Sequence, residues 1–171
     1  MNGVGSEQKE LQLKERNVVL FGVPISGAKT DEERENEDKT TILEILEEIG
    51  IEENERKYVK IRRFKANPNK TVESKNPAPI RVTFDEYIIN SDIKIEDVLK
   101  KSKSLKNSTK FKNVYINKDL TVVQITRLKQ LIKTRNEENS KLDAQHKAAK
   151  TTATYRYGIR NDMVVKVLLK A

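Results

Sequence analysis

Cysteine and tryptophan are both missing from the 171 residues, and His146 is the only histidine. The first absence excludes disulfides, thiol catalysis and cysteine-based zinc or iron–sulfur sites. A single histidine nearly removes Ser-His-Asp chemistry and histidine-cluster metal sites. No apolar run approaches the roughly 20 residues of a membrane span. Met1 to Glu10 is polar and holds no signal-peptide core. Hydrophobic residues make up 36% and aromatics 5%, so the expected core is modest. The chain reads as intracellular, without membrane contact and poorly equipped for enzymology; no cofactor, metal or catalytic residue is expected.

Charge is abundant and unevenly placed. The formal net charge is +8, from 34 Lys+Arg and 26 Asp+Glu. Residues 1–56 hold 7 Lys+Arg and 15 Asp+Glu, a net of −8; residues 57–171 hold 27 and 11, a net of +16. A basic block of that excess produces a field that polyanions feel. It is also what lysine-rich solvated helices would give, so the placement of the charges must decide.

Hydrophobic periodicity orders the chain. Residues 1–16 read as a polar tail or frayed helix end. A strand is expected over Asn17–Val23, then an acidic loop over Thr30–Glu37 entering a helix. Ile42, Ile45, Leu46 and Ile49 stand at i, i+3, i+4 and i+7 on that helix, with Gly50 at its C′ position. Alternation places further strands at Lys57–Lys65, Ile80–Phe84 and Asn113–Asn117. A long basic loop over Ala66–Pro79 and a helix over Ile95–Leu105 fall between them. The order β-α-β-β-α-β is that of an α+β, ferredoxin-like domain of the RNA-recognition type, ending at residue 119. Residues 120–171 form a small C-terminal domain: a helix over Thr121–Lys147, then strands Thr154–Arg160 and Met163–Leu168 joined by Asn161-Asp162. Asn and Asp tolerate the positive φ that a two-residue hairpin demands.

Three site readings compete. Gly22 to Thr30 resembles a phosphate loop, but Ala28 intrudes between Gly27 and Lys29, and the carboxylates from Asp31 to Asp38 would repel a triphosphate. The second reading is nucleic-acid binding. With Val18 and Leu20 inward, strand parity turns Asn17, Val19 and Phe21 outward, with Lys60, Arg62, Phe64, Arg81, Thr83 and Tyr115. Aromatics interleaved with cations can stack bases and neutralise phosphates. The usual aromatic signature of such domains is reduced to Val82-Thr83-Phe84, and an ordinary α/β sandwich with one wet face would alternate in the same way. The third reading is a protein-interaction module docking through its acidic N-terminal third. His146 reads as a solvated residue near a helix end.

Several stretches stand in a characteristic order: Asn17-Val-Val-Leu-Phe-Gly-Val-Pro24, Ile61-Arg-Arg-Phe64, Pro79-Ile-Arg-Val-Thr-Phe84, Leu99-Lys-Lys-Ser-Lys-Ser-Leu-Lys106, Val114-Tyr-Ile-Asn-Lys-Asp-Leu120, Arg135-Asn-Glu-Glu-Asn-Ser140 and Ile159-Arg-Asn-Asp-Met-Val-Val165. Together the set resembles the first-open-reading-frame protein of LINE-type non-LTR retrotransposons, over residues 17 to about 167. The resemblance implies a noncanonical RNA-recognition domain and a C-terminal nucleic-acid-binding domain. It also implies an N-terminal coiled coil that trimerises, of which residues 1–16 would be a stub. The family's function, coating the element's RNA in a cytoplasmic and partly nuclear ribonucleoprotein and acting as a nucleic-acid chaperone, implies single-stranded RNA or DNA as partner. By position, it implies RNA contacts at Asn17, Arg62, Arg63 and Arg81, at Arg127 and Lys129, and at Tyr157 and Arg160. Phe21, Lys60 and Tyr115 join them from strand parity. Ala78 stands where relatives often carry an arginine, and Asp85–Glu96 is longer than usual.

Overall fold

The computed structural model describes residues 3–65, 77–84 and 94–169. Elements run α1 (Gly3–Lys14), β1 (Asn17–Phe21), α2 (Asp31–Glu48), α3 (Glu53–Arg56), β2 (Lys60–Arg63), β3 (Ile80–Thr83), α4 (Ile95–Lys101), β4 (Tyr115–Lys118), α5 (Val122–Ala149), β5 (Tyr155–Arg160) and β6 (Met163–Leu168). Helix and antiparallel sheet are mixed. The chain divides into two compact units, Met1–Asp119 and Leu120–Ala171.

In the first unit four strands form one antiparallel sheet in the order β2-β3-β1-β4. The register opposes Val18 to Val82 and Leu20 to Ile80 across β1 and β3, and Leu20 to Ile116 across β1 and β4. These side chains fall on one face by the two-residue period. There they meet Ile42, Ile45 and Leu46 of α2 and Val98 of α4, all fully buried. Burying each such side chain is worth about 1.5–3 kcal/mol, so this layer is what holds the unit. The alternation is therefore physical: Ile80 and Val82 enter the core, while Arg81 and Thr83 face the side that α2 and α4 leave uncovered.

The acidic stretch reads from sequence both as a loop over Thr30–Glu37 entering a helix and, over Asp31 to Asp38, as a solvated helix start; the structure has the second, the opening of α2. Thr30 is its N-cap: its hydroxyl accepts from the Glu33 amide at 3.2 Å, and the Glu33 carboxylate accepts from the Thr30 amide at 3.2 Å. Asp31, Glu32 and Glu33 then sit in the first turn, where the helix dipole favours negative charge. Other boundaries also move. The second strand begins at Lys60 because Glu53–Arg56 forms the short α3, and α4 stops at Lys101 and continues as a 3₁₀ turn over Ser102–Asn107. Residues 3–14 of the expected tail are helical. Most of the expected basic loop (66–76) and most of the long stretch before α4 (85–93) lie outside the described residues.

In the second unit, Thr121 caps α5 by the same reciprocal bonds with Gln124, at 3.2 and 2.9 Å. The helix ends with Lys150 in the left-handed region (φ 52°), and the Thr151 amide returns to the His146 carbonyl at 3.0 Å. His146 is only half-exposed, with Nδ1 2.7 Å from the Thr151 hydroxyl, so it closes the helix end rather than standing free in solvent. Asn161 and Asp162 both take positive φ (49° and 56°), the turn that lets β5 and β6 pair over six residue pairs.

Candidate nucleic-acid interface

The face of the four-stranded sheet opposite α2 and α4 is built in rows. In register across the strands run Arg62, Arg81, Val19 and Asn117, and beside them Lys60, Thr83 and Asn17. At the far end of β1, Phe21 (40% exposed) stands opposite Tyr115 (64% exposed). The Arg81 guanidinium lies over the Phe64 ring, 4.9 Å from its centroid. The face thus offers two exposed aromatic rings, a third ring beneath an arginine, and the cations Lys60, Arg62 and Arg81.

This face is not uniformly open. Asn17 and Val19 keep the expected parity yet are buried, at 5% and 6% exposure. Asn17 does not offer its amide to solvent: Nδ2 donates to the Leu13 carbonyl at 3.2 Å and to Asp119 Oδ2 at 2.9 Å. Asp119, just beyond β4, is the hub. Its carboxylate is 6% exposed and lies 2.8 Å from Arg81 Nε and 3.6 Å from Lys14 Nζ. The Arg81 contact is close but misdirected for a hydrogen bond, which leaves buried Nε and buried Asn17 Oδ1 unpaired.

Arg63 stands apart from the other expected contacts, on the helix-covered face. Nε and Nη2 clasp both oxygens of Asp38 on α2, at 2.8 and 2.7 Å. The remaining donors reach the carbonyls of Val23 (3.2 Å), Ala78 (2.8 Å) and Pro24 (2.9 Å). Every fork of the guanidinium is engaged inside the unit. Two adjacent arginines in a strand point to opposite faces, and only Arg62 falls on the basic one.

The phosphate-loop reading meets a loop already committed to itself. The Ala28 amide donates to Ser26 Oγ at 3.0 Å, Ser26 Oγ donates to Glu37, and the Thr30 and Glu33 amides are taken by the cap. Gly22 at φ 80° is needed for packing, since a Cβ there would overlap the Asn113 carbonyl. A cavity of about 410 Å³ beside this loop is lined by Ser26, Glu37, Asp38 and Lys110 among others, a mixed rather than a phosphate-binding wall. Among the described residues no cluster of His, Asp or Glu could hold a metal. No helix among them is long and apolar enough to cross a membrane.

On the second unit, Tyr155, Tyr157 and Ile159 share one face of β5 by the two-residue period. The Tyr155 and Tyr157 rings meet edge to face at 5.7 Å, and Lys166 lies 4.8 Å over Tyr155. Desolvation, and then the neighbouring Tyr155, push the Tyr157 hydroxyl above the ordinary tyrosine value. Arg160 is exposed at the hairpin end, and Arg127 and Lys129 are exposed on α5. Two residues apart on a helix they diverge by about 200°, so they do not share one track. Tyr155 and Lys166 were legible only through strand period and pairing, and Asp119 had no local signal at all. The chain matches no family model and no curated protein sequence.

Proposed function

We propose that this chain is a sequence-tolerant single-stranded RNA-binding protein and nucleic-acid chaperone, without enzymatic activity, of a non-LTR retrotransposon ribonucleoprotein. The first unit would be a noncanonical RNA-recognition domain. The β-α-β-β-α-β order with strands ranked β2-β3-β1-β4 supports that reading, because it packs α2 and α4 on one sheet face and leaves Phe21, Arg62 and Tyr115 exposed on the other. The observation that carries it is the opposed pair Arg62 and Arg81, flanked by Phe64, Phe21 and Tyr115 on that face. With Lys60 beside them, the two arginines give this face a net positive charge that attracts a polyanion even after Asp119 pairs with Arg81. Exposed rings beside them stack on bases of any sequence. Tyr157, Arg160, Arg127 and Lys129 would supply contacts of their own on the second unit. Single-stranded DNA would bind through the same phosphates and rings, and a coiled coil upstream would make the protein a trimer in a cytoplasmic particle, with the nucleus as a second site.

Fluorescence anisotropy with a labelled oligo-uridine tests this. Affinity should fall steeply with salt, with a log–log slope of roughly −0.7 per phosphate neutralised. Changing Arg62 and Arg81 together to alanine should flatten that slope and weaken binding without unfolding the chain. No binding at low salt, or a salt-independent affinity, overturns the reading. Recovery of a protein partner that survives nuclease treatment and needs Asp31 to Asp38 would replace it with the interaction-module alternative.

A further inference from the structure

The placement of Asp119 is unfavourable for a polyanion-binding face unless the carboxylate acts on its neighbours. It is nearly buried and has Arg81 and Lys14 beside it, with the Asn17 amide bonded to it. Three separate parts of the chain converge there: the end of α1 with the start of β1, the centre of β3, and the residue after β4. The same cluster leaves Arg81 Nε and Asn17 Oδ1 buried without hydrogen bonds, so it is not optimised for stability. Arg62 stands directly opposite Arg81 and has no side-chain partner among the described residues, so without Asp119 the two guanidinium groups would repel.

We infer that Asp119 is the positioning residue of the RNA-binding face: it holds Arg81 over Phe64 so that its outer nitrogens face the phosphate of a bound strand. The inference rests on the RNA-binding reading given above. Nε, the inner nitrogen, is buried 2.8 Å from the Asp119 carboxylate, an ion pair without a hydrogen bond, and the guanidinium carbon lies 4.9 Å from the Phe64 ring centroid. What remains accessible is the outer fork, the part of arginine that matches phosphate geometry. Ordering that long side chain beforehand removes an entropic cost from binding.

The variant Asp119→Asn separates this from simple electrostatics. Asparagine keeps the shape and an oxygen that accepts from Asn17 Nδ2, but removes the negative charge. Coulomb attraction alone makes the variant bind a labelled oligo-uridine more tightly, because the face has gained positive charge. Positioning makes it bind about tenfold more weakly, the effect of removing one charge-assisted hydrogen bond to phosphate. In an Arg81→Ala background, Asp119→Asn should then weaken binding no further. Equal or tighter binding by the single variant, or additive effects in the double variant, overturns the inference while leaving RNA binding itself intact. If wild-type chain fails to bind at low salt, the functional reading falls and this inference with it. A readout independent of binding is the Arg81 Nε–H resonance, which should be protected from solvent exchange in the wild type and lose that protection in Asp119→Asn. Free-arginine exchange in the wild type overturns the inference even if the variant does not fold.

Discussion

Arg62 and Arg63 are neighbours in sequence and face opposite sides of the sheet, one exposed on the basic face and the other clasping Asp38 in the interior. Their substitutions should separate cleanly. Arg63→Ala leaves the Asp38 carboxylate buried and unpaired and should cost about 3–5 kcal/mol of folding stability. Arg62→Ala should change stability by no more than about 0.5 kcal/mol, as surface changes do, while weakening binding to single-stranded RNA. Urea denaturation and anisotropy on the two variants check both halves. A stable Arg63→Ala chain would mean that the Asp38 pair is not holding β2 to α2.

Gly22 ends β1 at φ 80°, with the Asn113 carbonyl where a Cβ would stand. Gly22→Ala should therefore lose about 1–3 kcal/mol from backbone strain, with a further loss as the 111–114 segment is pushed off. Gly27→Ala, in the same loop, has open space around it and should be close to neutral. A phosphate-binding role for the loop would reverse the expectation for Gly27 by making its substitution costly to nucleotide affinity. Parallel urea titrations and a nucleotide-binding assay distinguish the two.

The sheet was legible because burial imposes a period of two. Ile80 and Val82 alternate with Arg81 and Thr83, and their inward placement follows from that pattern; in β1, where Val19 and Phe21 are apolar too, the inward placement of Val18 and Leu20 follows from the two-residue period alone. Two things escaped. Exposure does not follow from parity: Asn17 and Val19 lie on the face opposite α2 and α4 and are buried all the same, and Asn17 is bonded there to the end of α1 and to a carboxylate 102 positions away. Nor does chemistry follow from residue type. Arg62 and Arg63 differ by one step of the pleat, and nothing local announces Asp119 or Asp38 as their neighbours' partners. The C-terminal hairpin was read from Asn161-Asp162 because the turn is a local matter. The acidic segment Asp31 to Asp38 is legible as a helix start from its charge, which suits the positive end of the helix dipole, while its polar residues carry no periodicity to fix where the loop ends; the Thr30–Glu33 capping box marks that point.

Acid should loosen the first unit at two identifiable carboxylates. The hydrogen bond from Lys118 holds Glu96 below the ordinary glutamate range, joining β4 to the first turn of α4 at 2.7 Å. The Thr30 backbone amide, then its hydroxyl, lower Glu33 in the same way. A carboxyl depressed in the folded state stabilises the fold above its unfolded value, and that contribution is lost as pH falls through the depressed one. Both groups should therefore titrate by carboxyl NMR at lower pH than exposed glutamates. Lys118→Met should raise Glu96 toward the ordinary range, with the backbone hydrogen bond and Lys100 still holding it partly down, and leave Glu33 where it was. Movement of both, or of neither, would contradict the assignment of causes.

Asn139 should be the residue on which the second unit depends most for its size. Its side-chain amide meets the backbone of Tyr157 twice: Nδ2 donates to the Tyr157 carbonyl at 3.0 Å, and Oδ1 accepts from the Tyr157 amide at 2.8 Å. A side chain on α5 thereby stands in for a third strand at the edge of β5. Two backbone groups that would otherwise be orphaned are satisfied by one residue. Apart from the exposed Arg156–Asp143 pair, little else ties α5 to β5, since Leu142 is the only buried residue along α5. A two-stranded hairpin alone is marginal in water. Asn139→Ala should cost about 1–3 kcal/mol for each partner left unpaired in a half-buried setting, expressed as faster hydrogen exchange at the Tyr157 amide and throughout β5. Asn139→Asp keeps the acceptor, loses the donor and sets a carboxylate against the Tyr157 carbonyl, so it should not rescue; Asn139→Gln, one methylene longer, should recover only part. Because Tyr155 and Tyr157 hold their rings on this strand, RNA affinity should decline with β5 protection in the same series, while exchange at β1 and β3 of the first unit stays as in the wild type. Unchanged β5 protection in Asn139→Ala would show that the hairpin is held by its own pairing and not from α5.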